Sequence, residues 1–268
     1  MEHEADTVVL KFLPCSMTEL DMSFNALSGT IQLADLPEKI DNLNLSKNRL
    51  SGSLRLDDLP VPMGGVFLGQ NAFSGEISLE RLPKGLRVLN LSMNKLQGTI
   101  CLTSLPPVFE TMYLNENVFH ASLDLTRLPE KLHKIRLHDN RFSGEIDLSY
   151  LPAALWDLDA AHNKLVGSLC LTSLPHDLER LALNHNTLHG SLDFTRLPES
   201  LEELHLNDNS FAGEIDVSHL PAEMMELDVR NNKLCGTVRT PPGLVCWVDD
   251  TESKRLFDGN TDLTVEDP

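Results

Sequence analysis

The chain is 268 residues long, with 22 basic against 40 acidic side chains and a formal charge of −18. That balance argues against nucleic acid as a partner, since phosphate binding relies on Lys and Arg to displace counterions, and it disfavours docking on anionic lipid. A hydrophobic share of 41% is enough for a core, yet no apolar run approaches the roughly 18 residues that a bilayer span requires.

Residues 1–14, MEHEADTVVLKFLP, begin with acids and hold a short, broken apolar stretch. A secretory signal needs a basic flank and an uninterrupted apolar segment, so a cytoplasmic protein is the expectation for the sequence as written. Val8, Leu10, Leu13 and Pro14 stand in the phase of the second half of the repeat that follows. Residues 1–14 therefore read as an N-terminal half-repeat or cap, or as the downstream end of a longer array. The longer array would shift the expectation to an extracellular or cell-surface protein.

From residue 15 to 238 one 23-residue unit recurs ten times. Asn falls at 25, 48, 71, 94, 117, 140, 163, 186, 209 and 232, and Pro keeps the same step from 14 to 221. Each unit reads L-P-x-x-L-x-x-L-x-L-x-x-N-x-(L/F)-x-G-x-(I/L)-x-L-x-x-L. Apolar residues alternate before each Asn, as in Leu43 and Leu45, which predicts a short strand with one buried face. Pro and Gly turn the chain at fixed places. Successive strands then lie about 4.8 Å apart in a parallel sheet.

The Asn closes each strand where backbone amides lose their sheet partners. An inward carboxamide can donate and accept toward neighbouring turns, and ten of them form a ladder. Three departures predict local weakening without a break: Ala121 in place of Gly, Ala160 in place of a strand Leu, and Gly64–Gly65 in the third turn. A 69-residue period lies on top and makes Cys101 and Cys170 copies of one position. Three turns separate them by about 14 Å of strand spacing, beyond a disulfide's Cα reach of about 7 Å. They are expected to be buried thiols.

These units resemble the leucine-rich repeat family over about residues 15–244. The segment after Asn, such as SGEIDL (143–148), is similar to the S-G-x-I subclass, and the leading L-P resembles the repeats of bacterial effector and protist surface proteins. The resemblance implies a right-handed horseshoe with a parallel concave β-sheet, a convex side of short strands and turns, and little helix. It also implies an interaction platform: a monomeric, non-enzymatic module that holds a protein partner on its concave face and needs no cofactor.

After Val238 the phase fails. Residues 239–250 read as a C-terminal cap, and NNKLCG followed by Cys246 is similar to the caps of secreted plant-type repeat proteins. There the two cysteines would pair, here Cys235 with Cys246, whereas a reducing compartment would keep both free. Residues 251–268, rich in acids and poor in apolar side chains, are expected to be a loose acidic tail.

With the scaffold positions assigned, binding falls to the outward positions six, four, two and one before each Asn. Phe67, Val88, Met93 and Tyr113 are candidate anchors, because apolar side chains are costly to leave wet and are enriched in interface cores. Arg136, His138, Asp159, His162, His185 and His205 complete the candidate set. Lys134, Arg136 and Arg180 form a basic spot, and Glu203, Glu226 and Asp228 an acidic end, which would steer a complementary partner.

The column Asp139, His162, His185, Asp208 has three readings: a solvated ladder, a pH-sensitive contact, or Zn²⁺ ligands. A flat ladder seldom converges tetrahedrally, so no metal site is assigned. Sequons occur at Asn44-Leu45-Ser46 and Asn90-Leu91-Ser92 and matter only in a secreted protein. No phosphate loop, H-E-x-x-H or G-x-S-x-G occurs. The alternative to the interaction module is the ectodomain fragment of a secreted or surface receptor-like protein that binds a peptide or glycan.

Overall fold

A computed structural model describes residues 8–239, 247–248, 252–253 and 256–266. It divides into two compact units, residues 1–121 with 127–141, and residues 122–126 with 142–268. Each is a parallel-strand solenoid with almost no helix. Turns are numbered here by their Asn, from turn 1 at Asn25.

In the first unit six three-residue strands follow chain order: Glu19–Asp21, Asn42–Asn44, Gly65–Phe67, Val88–Asn90, Thr111–Tyr113 and Lys134–Arg136. Each pairs with the next at an offset of 23, as in Leu43↔Val66 and Val66↔Leu89. The constant offset stacks like on like, so Leu43, Val66, Leu89, Met112 and Ile135 form one buried column. A second set of parallel strands, Ser28–Thr30, Arg49–Gly52, Ala72–Glu76, Lys95–Gly98 and Val118–Ala121, carries the S-G-x-I segments. Short 3₁₀ turns at Leu33–Asp35 and Leu56–Asp58 complete this side.

In the second unit Asp157–Asp159, Arg180–Ala182, Glu203–His205 and Glu226–Asp228 pair in the same way. Opposite them His189–Gly190, Ser210–Glu214, Lys233–Arg239 and Asp262–Glu266 form a four-stranded parallel sheet.

The Asn ladder forms as the pattern requires. Asn71 Nδ2 donates to Leu45 O, one turn back, and to Leu68 O in its own turn, while its Oδ1 accepts the N–H of Leu50 at 3.0 Å. Asn186, Asn209 and Asn232 repeat this set in the second unit.

Three expectations need correction. The residue before each Asn is not on the strand: from Phe24 to Asn231 it is left-handed, with φ between 51° and 56°. The strand is only three residues long, so Met93, His162 and His185 sit in the bend that follows it. The thiols of Cys101 and Cys170 are not buried: Cys101 is half-buried and Cys170 exposed, because the inward place belongs to the residue that follows each, Leu102 and Leu171, both 1% exposed.

The loose tail is the third. Residues 256–266 make an eleventh turn, with Leu256 and Phe257 each 2% exposed and Asn260 extending the ladder to Val229 O. Asp262–Glu266 pairs with Lys233–Arg239 over five residues. The suggested partner of Cys235, Cys246, lies outside the described residues, as do residues 1–7 and most of the 239–250 cap.

Candidate binding face

Inward leucines and the ladder satisfy the scaffold, and the outward strand positions differ sharply between the two units. In the first, turns 2 to 5 present Asn42 and Asn44, Gly65 and Phe67, Val88 and Asn90, Thr111 and Tyr113, all uncharged. Phe67, Val88 and Tyr113 are half-buried, and Met93 is 41% exposed. The strand register sets Phe67 beside Asn90 and Asn90 beside Tyr113. An ideal Cβ on Gly65 would lie 3.1 Å from Phe67 Cε2, so the ring leans over the glycine instead of standing upright. Gly65, one half of the Gly64–Gly65 pair read from sequence as a weakness, is what admits this ring. Turn 6 adds half-buried Lys134, Arg136 and His138, with Lys134 Nζ 6.0 Å from the centre of the Tyr113 ring.

In the second unit the same positions, Ala182 apart, are acidic, basic or His and mutually engaged. Arg180 Nε lies 3.3 Å from Glu203 Oε2, and its Nη2 lies 3.7 Å from Asp159 Oδ2. His205 stands between Glu203 and Glu226, at 3.6 and 3.8 Å. Arg230 grips Asp228 bidentately at 2.9 and 2.6 Å. Asp157, Asp159 and Asp228 are buried at 1%, 5% and 3% exposure. Asp159, expected as an outward contact, is therefore a floor residue beneath Arg180, because long arginine side chains lie over short aspartates on adjacent strands. Of the basic and acidic groups read separately from sequence, Arg180 and Glu203 are here an ion pair. Lys134 and Arg136 belong to the first unit and Arg180 to the second.

His162 and His185 are exposed, with rings stacked at 4.1 Å and 19° between planes. His185 Nε2 lies 3.4 Å from Asp208 Oδ2, and Asp208 also accepts from Asn207 and Asn231. The second unit thus joins three of the four members of the Asp139, His162, His185, Asp208 column, Asp139 being in the first. Near-parallel rings aim their in-plane lone pairs side by side and not at one point. Among the described residues no group of three His, Cys, Asp or Glu is arranged to hold a metal ion.

Sequence reasoning passed over a repeated turn on the opposite side. Seven residues after Asn, Asp193 and Asp216 each accept the N–H of the residue two positions on, Thr195 and Ser218. The Thr195 and Ser218 side chains first, and these N–H bonds second, hold both carboxyls below their ordinary pKa. Cys101 and Cys170 occupy that same position, with Sγ 3.2 Å from Thr103 Oγ1 and 3.5 Å from Thr172 Oγ1. The threonine contacts lower both thiol pKa values, because they favour the thiolate. Cys170 borders an open cleft of about 580 Å³ that Asp147, Glu145 and His189 also line. The D-x-(S/T) and C-x-(S/T) steps at constant phase were the available signal.

No protein-family model and no curated protein matches the sequence. Solved structures do. The leucine-rich repeat ectodomain of the Arabidopsis receptor kinase HAESA, in complex with an extended IDA peptide hormone, aligns with a TM-score of 0.64 and 26% identity, over 86% of this chain and 44% of that one. YopM from Yersinia enterocolitica aligns at 0.56 and 25% identity, over 95% and 60%. A plant ice-binding protein aligns at 0.62 and 24% identity, over 84% and 74%, a likeness of fold alone. The chain spans less than half the length of the HAESA ectodomain it matches. Among the described residues no helix is long and apolar enough to cross a membrane.

Proposed function

We propose that this chain, a leucine-rich repeat protein, is a non-enzymatic binding module that holds a protein partner on its concave strand face. One observation carries the reading. Phe67 and Tyr113 point outward beside neutral amides, and neither the ladder nor the buried column uses them. Such rings gain most when a partner removes them from water, at about 25 cal/mol per Å² of apolar area. In the first unit Arg136 and His138 supply polar contacts beside these anchors, with Val88 and Met93 between the rings, and in the second His162, His185 and His205 supply polar contacts of their own. Asp159 acts through Arg180. The module acts as a monomer, engages no nucleic acid, inserts in no membrane and requires no cofactor.

A second reading, a receptor-like ectodomain fragment that binds a peptide or glycan, draws support from the peptide-bound HAESA ectodomain. The cytoplasmic assignment belongs to the first reading and the extracellular one to the second. Mass spectrometry of native protein separates them: glycans at Asn44 or Asn90, or a Cys235–Cys246 bridge, favour the second.

The test is affinity capture from the native source, with wild type against a variant carrying Phe67→Ser, Tyr113→Ser, Arg136→Ser and His162→Ser. A protein retained by wild type and lost by a folded variant supports the concave face. Equal retention by both moves binding elsewhere and overturns it.

A further inference from the structure

Along one column of the first unit, amide and ring alternate: Asn44, Phe67, Asn90, Tyr113, in register from strand to strand. Asn44 and Asn90 are two turns apart, as are Phe67 and Tyr113, which is about 10 Å at the strand spacing. No charged residue stands on Asn42–Asn44, Gly65–Phe67, Val88–Asn90 or Thr111–Tyr113, and the column meets charge only at its two ends, Asp21 beside Asn44 and Arg136 beside Tyr113.

Both carboxamides are committed in one direction. Asn90 Oδ1 accepts the Ser92 N–H at 3.0 Å and the Ser92 hydroxyl at 2.7 Å. Asn44 Oδ1 accepts the same two groups of Ser46. The serine of each Asn-Leu-Ser motif thus engages the acceptor end of the amide and turns the NH₂ end toward a ligand. Asn44 gives one of its two N–H bonds to Asp21 Oδ2 at 3.1 Å. The face therefore offers aromatic platforms and neutral donors.

A ligand that fits must be uncharged, carry apolar groups at this spacing and present acceptors. A polyproline II segment does so: it repeats every three residues, about 9.3 Å, and has no internal hydrogen bonds. Proline keeps its carbonyl and has no N–H. An extended β-segment fits less well, because its faces repeat every two residues, about 6.6 Å, and it brings N–H donors.

We propose that turns 2 to 5 of the first unit bind an uncharged proline-rich segment of the partner in the polyproline II conformation. Prolines three residues apart rest on Phe67 and Tyr113, a carbonyl between them accepts from Asn90, and one on the far side of the first proline accepts from Asn44. The assignment rests on the strand face being the binding face and names the partner chemistry for this part of it.

The probes are an N-acetylated, C-amidated proline-rich peptide without charged residues, a Gly/Ser peptide of equal length, and a neutral β-glucan oligosaccharide, each titrated calorimetrically into the full chain. Saturable binding of the proline-rich peptide alone is expected. Asn90→Asp keeps the oxygen that serves Ser92 and removes the donor, so it should weaken binding at least tenfold with an unchanged thermal midpoint, and Phe67→Ser should do likewise. Equal binding of the Gly/Ser peptide, preference for the oligosaccharide, or full affinity in Asn90→Asp overturns the proposal. A partner captured through the concave face by a chain that ignores the proline-rich peptide sinks this inference and leaves the broader reading standing. Peptide binding lost in Asn90→Asp beside unchanged capture of the partner means that the partner does not use this site, and it too sinks this inference alone.

Discussion

Asn260 accepts the N–H of Leu234 at 3.0 Å from 26 residues away, where the preceding ladder bond, Phe211 to Asn232, spans 21. Asn260 stands five residues further from Asn232 than the 23-residue step would put it, and it still donates to Val229 O and Phe257 O. Phe257 takes the buried place that Val229 holds one turn earlier, and Gly259, at φ 79°, takes the left-handed place before the Asn. An acidic segment thereby covers the last repeat's apolar end, as a solenoid requires. Replacing Asn260 with Ala strips partners from buried backbone groups and should cost about 1–3 kcal/mol. Urea denaturation measures this, and an unchanged midpoint would mean that the eleventh turn adds nothing to stability.

Ala121 sits at φ 74°, where the other turns place a glycine between 81° and 96°. A Cβ in the left-handed region costs about 1 kcal/mol, so Ala121→Gly should stabilise the protein by up to that amount. Gly98→Ala is the converse, since its Cβ would also lie 2.7 Å from Glu76 Cγ. It should destabilise by about 1 kcal/mol or more. Opposite shifts in thermal midpoint check the pair, and shifts of the same sign would refute the backbone explanation.

The constant 23-residue step made the strands, the ladder and the inward column legible, because period 2 before Asn and fixed Pro and Gly leave one way to stack the turns. The eleventh turn was hidden by a phase break: composition marks residues 251–268 as tail, and only Leu256, Phe257 and Asn260 betray the bend. Burial of the binding-face residues was less legible. Asp159 and Val88 hold outward positions alike, yet whether a side chain is floor or surface depends on the length of its neighbours on adjacent strands. The thiols were misjudged because composition alone marks cysteine as an inward residue, whereas the neighbouring Leu102 and Leu171 take the inward place.

Arg230 holds Asp228 by two hydrogen bonds, and the carboxylate is 3% exposed. Removing the guanidinium leaves a buried charge poorly compensated, so Arg230→Ala should cost about 3 kcal/mol. Asp228→Asn in the same background should recover most of it, because the charge leaves with its partner. The double-mutant comparison by chemical denaturation decides. Additive losses would show that the two side chains do not act as a pair.

Cys170 is exposed, and its contacts with Thr172 and Ser173 favour the thiolate. The thiolate is the nucleophile. A lowered pKa raises the thiolate fraction at any pH below the ordinary thiol value, so labelling by iodoacetamide should persist to lower pH than for an ordinary exposed cysteine. Thr172→Val keeps the shape and removes the hydroxyl, which moves the thiol pKa back up and slows labelling at neutral pH. The difference should shrink as pH rises through the ordinary thiol range, where both forms are ionised. Cys101 and Thr103 repeat the arrangement in the first unit, with the thiol half-buried. Site-resolved mass spectrometry of labelled peptides over a pH series follows both thiols at once. Equal labelling of Cys170 in wild type and Thr172→Val across that series would remove the hydroxyl from the account.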